Sequence, residues 1–414
     1  MPSHVSPSVQ GANVLLLEGV NDSAVEIFQN SKYLSIERQP KALEGEALRE
    51  AVKGVDLLGI RSRTQLTHDF FSDAGRLAAV GCFSVGTNQV DLDAARNRGI
   101  PVFNAPFSNT RSVAELVIGE IVMLLRRVFP LSVSAHEGGW DKSATDSHEV
   151  RGRTLGIVGY GNIGSQLSML AEAMGMKVIF FDQTDKLRHG NTEPVESLQD
   201  LLTQSDIVSL HVPETLATSG MIGAAELRLM KRSACLINNS RGTVVDIDAL
   251  AAALRDGDLA GAALDVFPVE PSSNSVRFQS PLQGLKNVIL TPHIGGSTEE
   301  AQDRIGREVS RKMLDYLSSG STMGAVNFPQ VQLHAPPRGA RFSYVHRNVP
   351  GMLRRLNEVF LQRDINIIAQ YLETDSEIGY VVLDADLTQH DTHEILDDIR
   401  ALDGTIRARL VAES

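Results

Sequence analysis

The chain is poor in cysteine, in positive charge and in long apolar runs. Its 414 residues hold two cysteines, Cys82 and Cys235, and one tryptophan, Trp140. Two such distant thiols match no metal-ligand spacing and no disulfide framework, so both read as small buried hydrophobes. Lys plus Arg total 39 against 51 for Asp plus Glu, a formal charge of −12. That balance excludes a general nucleic-acid binder, and an anionic substrate would need locally clustered Arg or Lys. The longest apolar stretch, Val113 to Leu125, is interrupted by Glu115 and Glu120 and is too short to span a bilayer. Met1 to Gly11 has no basic-then-apolar signal pattern. Neither a solenoid repeat nor a low-complexity tract is present. The expectation is a cytoplasmic protein with no membrane and no metal.

At about 150 residues per domain, the length suggests two or three domains. Apolar residues at 42% and charged residues at 22% suit a globular chain with a sizeable core. Val14 to Leu17 and Leu57 to Ile60 read as buried strands. Strands and helices alternate to about Pro101-Val102-Phe103, which implies a parallel sheet covered by helices. Val113 to Leu125, apolar nearly all round, predicts a helix buried on several sides.

A second alternating series starts at Arg153. Its strands are Leu155–Val158, Lys177–Phe181, Asp206–His211, Ala234–Asn238, Gly261–Leu264 and Asn287–Leu290, a doubly wound pattern. A helix follows from Thr298 to about Leu317. Pro329, Pro336, Pro337 and Gly339 then mark a linker. The last 75 or so residues read strand, helix, strand, strand, helix, strand: Arg341–Val345, Pro350–Arg363, Ile367–Leu372, Tyr380–Asp384, Thr392–Leu402 and Thr405–Val411. That order is the ferredoxin-like split fold.

Gly159-Tyr160-Gly161-Asn162-Ile163-Gly164 is G-x-G-x-x-G between an apolar strand and a helix. Gly159 allows the tight turn, Gly161 lets backbone approach a pyrophosphate, and Gly164 lets helix and strand pack closely. The helix N-terminus favours the pyrophosphate charge. Asp182 follows the next strand. Its carboxylate suits ribose hydroxyls and repels a 2′-phosphate, so NAD is expected over NADP.

Ligands of such sheets sit outside the carboxyl ends of the strands. Those ends carry Asn239-Ser240-Arg241-Gly242, Asp265, Glu270 and Thr291-Pro292-His293-Ile294-Gly295-Gly296. Hydride transfer between a hydroxy acid and NAD needs a fixed cation for the substrate carboxylate and carbonyl, which suits Arg241. It needs a proton acceptor working near neutral pH, which suits His293. A carboxylate, Glu270, would orient that imidazole and favour its protonated form. Each alone is a common strand-end residue; together, after a complete nucleotide motif, they read as catalytic.

These stretches resemble the D-isomer-specific 2-hydroxyacid dehydrogenases that carry a C-terminal ACT domain. The likeness includes Gly59 to Thr64, Gly81 to Val90, Asn104 to Glu115, the Gly159 motif, Asn238 to Asp246, Ala263 to Pro271, Thr291 to Gly296 and Gly404 to Leu410. It implies two Rossmann-like α/β domains and a ferredoxin-like ACT domain. The substrate domain would be discontinuous, 12–108 and 297–330, around an NAD-binding domain over 109–296, with a linker over 331–339 and the ACT domain over 340–414. The resemblance places Asn162, Ile163, Asp182, Asn239, Ser240, Arg241, Asp265, His293, Ile294, Gly295 and Gly296 around NAD. It puts Arg61, Ser62, Arg63 and Asn109 at a phosphorylated substrate; solvated surface arginines are the alternative for the first and third. His346, Asn348 and Asn366 would hold L-serine, although Asn348 also suits a helix N-cap. The implied reaction is NAD-dependent oxidation of D-3-phosphoglycerate to 3-phosphohydroxypyruvate, first step of the phosphorylated route to L-serine, in a homotetramer inhibited by serine. Other readings are a dehydrogenase for another 2-hydroxy acid such as 2-hydroxyglutarate, and an NAD-sensing corepressor-like binding protein. In the family a Gly-Gly hinge often precedes the ACT domain; here Pro336-Pro337-Arg338-Gly339 stands there, a stiffer segment.

Overall fold

The computed structural model describes residues 11–31, 34–271, 276–333, 336–387 and 391–413. Most of the N-terminal segment, and residues 334 and 335 of the expected linker, lie outside the described residues. The chain forms two compact units, residues 1–108 with 302–414, and residues 109–301.

The first unit opens with five short parallel strands: β1 (Asn13–Leu16), β2 (Ser35–Arg38), β3 (Leu57–Ile60), β4 (Ala79–Cys82) and β5 (Val102–Phe103), in the order β2-β1-β3-β4-β5. β3 and β4 are wholly buried runs without a polar side chain, as a parallel sheet covered on both faces requires. β2 is polar and largely exposed, an edge that apolar patterning does not reveal. The helix Glu299–Ser319 returns to this sheet, placing Ile305, Val309, Met313 and Tyr316 in its core. Gly81 leaves no room for a side chain, because a Cβ there would lie 2.3 Å from the Met313 sulfur.

The second unit carries seven parallel strands: β6 (Thr154–Val158), β7 (Lys177–Phe181), β8 (Glu193–Pro194), β9 (Ile207–Leu210), β10 (Cys235–Asn238), β11 (Gly261–Leu264) and β12 (Val288–Leu290). Their order, β12-β11-β10-β9-β6-β7-β8, reverses direction between β6 and β9. That reversal opens a crevice at the carboxyl ends, where this fold class binds ligands. The helix Thr110–Leu125 is buried along Val113, Ala114, Val117, Ile121 and Leu125 and half-buried on much of its other face. A second helix, Val128–His136, follows at once and leaves Val128, Phe129 and Val133 exposed.

The C-terminal sheet of the first unit comprises β13 (Ala340–Arg347), β14 (Ile367–Thr374), β15 (Ile378–Ala385) and β16 (Thr405–Ala412), antiparallel in the order β14-β15-β13-β16. Helices Met352–Leu361 and Thr392–Ala401 cover one face through Leu356, Phe360, Ile395 and Ile399. This is the βαββαβ order expected. Arg341 and Asp384, opposite each other on β13 and β15, form a doubly bonded ion pair at 2.6 and 2.7 Å with almost no exposure. Val345, Ile378, Tyr380 and Val382 on the other face join the same core as the helix Glu299–Ser319. Both cysteines are buried, and burial pushes each thiol up to about 12, so neither is a nucleophile at neutral pH.

Candidate active site

β6 delivers its chain into the glycine loop. Gly159 sits at φ +91, where an L side chain is strained, and a Cβ there would meet the His211 carbonyl at 2.5 Å. A Cβ on Gly164 would lie 2.4 Å from the Gly159 carbonyl oxygen, so only glycine lets the helix Asn162–Ala173 start this close to the strand. A Cβ on Gly161 would meet nothing within 4 Å, which leaves an open cradle beside the helix N-terminus. Asp182 follows β7, and its Oδ2 accepts from the Tyr160 backbone N–H at 2.9 Å. Its Oδ1 accepts from Thr184, and Lys186 approaches at 3.8 Å. The acidic residue is thus tied to the glycine loop. Turn, cradle, helix terminus and carboxylate together fit a dinucleotide.

Three loops at the carboxyl ends of β10, β11 and β12 converge. Asn238, fully buried, accepts from the Ser240 N–H and hydroxyl and donates to the Arg241 carbonyl, fixing the turn that bears Arg241. Gly242 lies against the Phe267 backbone so closely that a Cβ would fall 2.0 Å from its carbonyl carbon. This packing brings the Arg241 loop against the segment leading to Glu270. The Glu270 carboxylate accepts from the Phe267 N–H and contacts His293 Nδ1 at 2.9 and 3.1 Å. That bond raises the His293 pKa, against partial burial and with help from the Glu270 and Asp265 charges. Burial would raise Glu270, but His293, the Phe267 N–H and Arg241 outweigh it and hold the carboxyl below its ordinary value. The imidazole is about half exposed, and its Nε2 remains for a substrate.

Asp265 has a structural task that its sequence position did not disclose. Its Oδ1 accepts from Thr291 Oγ1 at 2.6 Å and the Ile294 N–H at 2.7 Å, and its Oδ2 accepts from the Gly295 N–H at 2.7 Å. This buried carboxylate clamps the loop that holds His293, which sits at φ +53. A Cβ on Gly296 would lie 2.5 Å from the Asn109 side-chain nitrogen, so these two residues meet in close contact. Asn239 donates to Glu120 Oε2 at 2.8 Å. Glu120, fully buried in the helix Thr110–Leu125, has its pKa raised to about 8 by burial and by the Asp265 charge, against the Asn239 bond. In the sequence Glu120 reads as an interruption of an apolar run. That interruption was the signal of a carboxyl placed beneath the site.

In the first unit, the Glu18 carboxylate accepts from the backbone N–H groups of Arg61, Arg63 and Thr64 at 2.9–3.1 Å. It holds the loop after β3 that carries both arginines and the exposed Ser62. Apolar patterning does not single out Glu18, although it stands two residues past the end of β1.

In the C-terminal sheet, His346 Nδ1 contacts the Arg347 carbonyl at 2.7 Å, its Nε2 is buried without a partner, and burial lowers its pKa. Asn348 donates to the Asp375 carbonyl at 2.6 Å. It is not the N-cap of the next helix; Gly351, at φ +92, takes that place. Asn366 does not join these two residues. β14 and β13 both run antiparallel to β15, so Asn366 lies at the Ala385 end while His346 lies opposite Gly379. Six residues of strand, about 20 Å at 3.4 Å each, separate those ends.

The fold and this arrangement define an NAD-dependent dehydrogenase of 2-hydroxy acids, and the chain belongs to the D-isomer-specific 2-hydroxyacid dehydrogenase family. Residues 118–295 match the family described as D-isomer specific 2-hydroxyacid dehydrogenase, NAD binding domain, and residues 342–407 match the AHAS small subunit-like ACT domain. The chain is 53% identical over 411 residues to the D-3-phosphoglycerate dehydrogenase of Haemophilus influenzae, covering 99% of this chain and 100% of that one. It is 54% identical over 397 residues to the enzyme of the same name from Escherichia coli K12, covering 96% and 97%. Among solved structures, D-lactate dehydrogenase from Aquifex aeolicus complexed with NAD and lactic acid aligns with a TM-score of 0.67 at 28% identity, over 77% of this chain and all of that one. Among the described residues, no helix is long and apolar enough to cross a membrane.

Proposed function

We propose that the chain, as a cytoplasmic homotetramer, oxidises D-3-phosphoglycerate to 3-phosphohydroxypyruvate with NAD, the first step of the phosphorylated route to L-serine. The observation that carries this reading is the His293–Glu270 pair beside Arg241, in a chain more than half identical over its length to enzymes of that name. Bound NAD supplies the hydride acceptor. Gly159, Gly161, Asn162, Ile163, Gly164 and Asp182 would hold it at the glycine loop, and Asn239, Ser240, Arg241, Asp265, His293, Ile294, Gly295 and Gly296 would line the rest of its site. Arg241 engages the substrate carboxylate and carbonyl oxygen. His293 Nε2 accepts the hydroxyl proton as the carbonyl forms, and Glu270 fixes the tautomer and stabilises the imidazolium. Arg61 and Arg63, with Ser62 and Asn109, answer the charge of the substrate phosphate.

L-Serine lowers activity through His346, Asn348 and Asn366. Because Asn366 and His346 stand about 20 Å apart along one sheet, the site is completed by the second end from another copy of the chain. The test is NAD reduction with D-3-phosphoglycerate, D-glycerate, D-lactate and D-2-hydroxyglutarate, each with and without L-serine. Turnover highest with the phosphorylated substrate and reduced by serine is expected. Turnover of another acid with none of phosphoglycerate would overturn it.

A further inference from the structure

The first unit holds a large cleft, about 1780 Å³, between its five-stranded sheet and the C-terminal sheet. In a chain of net charge −12, this cleft is lined by six arginines: Arg76, Arg98, Arg347, Arg400, Arg407 and Arg409. Its acidic residues are Asp56, Asp73 and Glu377, and it also holds His393. Two of the acids are spent nearby: Asp56 pairs with Arg76 at 2.7 Å, and Glu377 pairs with Arg96 at 3.1 Å. Arg400 pairs with the exposed Asp397 at 3.0 Å.

Among the described residues, no carboxylate lies within ion-pair distance of the remaining cations, although the Asp56 charge is felt at Arg407. Arg98 donates to the Ser72 carbonyl, and Arg407 donates to those of Leu77 and Arg76. Strand alternation puts Arg407 and Arg409 on one face of β16. Arg409 stacks 5.0 Å from the centre of the Tyr316 ring, and its Nη1 is buried with no acceptor. Burial lowers the Arg407 pKa against the pull of Tyr316 and Asp56, with the Arg409 and Arg400 charges adding to the effect. A desolvated guanidinium group beside like charges, with a donor unused, is costly unless an anion meets it.

We propose that this cleft binds a small dianion, a phosphate or a dicarboxylate, on Arg347, Arg407 and Arg409. None of these three belongs to the substrate, cofactor or serine sets assigned above, although Asn348 of the serine set lines the same cleft. The ligand bridges β13 and β16 of the C-terminal sheet to the loop around Arg76 and Leu77, which Arg407 already reaches.

Calorimetric titration of the full-length chain tests it, with sodium phosphate and separately with sodium succinate, ionic strength being held constant with chloride. A saturable site for at least one dianion is expected. Phosphate alone would assign a tetrahedral oxyanion, and succinate alone a dicarboxylate. Binding should persist in the double variant Arg61→Ala/Arg63→Ala, which separates it from the proposed substrate site. Arg409→Gln should weaken it at least tenfold, and Arg409→Lys less, because lysine keeps the charge without the fork. Should Arg409→Gln lower the melting temperature, Arg347→Ala at an exposed position carries the same expectation. No saturable binding of either dianion, loss in the Arg61/Arg63 variant, or wild-type affinity in Arg409→Gln or Arg347→Ala would overturn the proposal.

Discussion

Asp265→Asn tests whether the loop of His293 is held from below. The carboxylate accepts three hydrogen bonds, from Thr291 Oγ1, Ile294 N–H and Gly295 N–H, each at 2.6–2.7 Å, and is 2% exposed. A bond to a charged acceptor contributes roughly 1.5–3 kcal/mol and one to a neutral acceptor about 1. An amide oxygen kept toward Thr291 and Ile294 therefore loses about 1 kcal/mol at each. The amide nitrogen then faces the buried Gly295 N–H, which costs about 1–3 kcal/mol more. The sum is about 3–5 kcal/mol, compared with a left-handed strain at His293 of about 1–3 kcal/mol. Without the clamp that strain is released and the imidazole moves; a displacement of about 1 Å costs on the order of 10²-fold in rate. Removing the Asp265 charge also lowers the His293 pKa, because that charge helps raise it. The expected result is a lower melting temperature, kcat reduced about 10²-fold, and a pH–rate limb moved to lower pH. Urea unfolding, NAD calorimetry and a pH series of kcat measure the three. Wild-type kcat and stability, with loss confined to NAD affinity, would refute the clamp and leave Asp265 as a cofactor ligand only.

Three further outcomes follow from the site. His293→Ala should lower kcat by roughly 10²–10⁴-fold while NAD binding, measured by calorimetry, survives; near wild-type turnover would assign the proton transfer elsewhere. Glu270→Gln should move the rising limb of the oxidation rate to lower pH, since oxidation needs neutral imidazole and Glu270 is what raises its pKa. An unmoved limb refutes the pairing. By the same signs, the pair's contribution to stability is lost as pH falls through the depressed Glu270 pKa and as it rises through the raised His293 pKa. Kinetics with both nucleotides should favour NAD over NADP because Asp182 offers a carboxylate beside the glycine loop; equal kcat/KM would remove that role from Asp182.

Much of this was legible because buried parallel strands are short apolar runs that end in chemistry. β3, β7 and β11 begin and end where apolar patterning puts them, since each is buried along its length or nearly so. Arg241, Glu270 and His293 were legible for the same reason, as polar residues just past apolar strands. β2 and the two-residue β8 were not: both are exposed sheet edges whose side chains answer to solvent. Glu18, the carboxyl role of Glu120 and the loop clamp that Asp265 makes are not legible there, because their work lies in bonds to distant backbone or to buried amides, and no local spacing encodes such partners.

The C-terminal domain shows where a correct fold reading stopped short. Its strand and helix order pointed to a self-contained module on a linker, which suggests that residues 340–414 could be removed cleanly. β15 argues otherwise. Val381, Leu383 and Ala385 face the module's own helices, whereas Ile378, Tyr380 and Val382 enter the core of the first sheet, where the Tyr380 hydroxyl donates to the Gly320 carbonyl at 2.7 Å. An antiparallel strand covered on one face alternates apolar with polar residues; Ile378-Gly379-Tyr380-Val381-Val382-Leu383 does not alternate. That run was the sequence's own statement that both faces are covered. Deleting the module would expose Tyr316, Phe328 and their neighbours, so a truncated chain would report on a broken core rather than on lost serine binding. Asn348→Ala, at an exposed position outside either core, is the variant that separates the two: serine affinity should fall while kcat, KM and melting temperature stay at wild-type values.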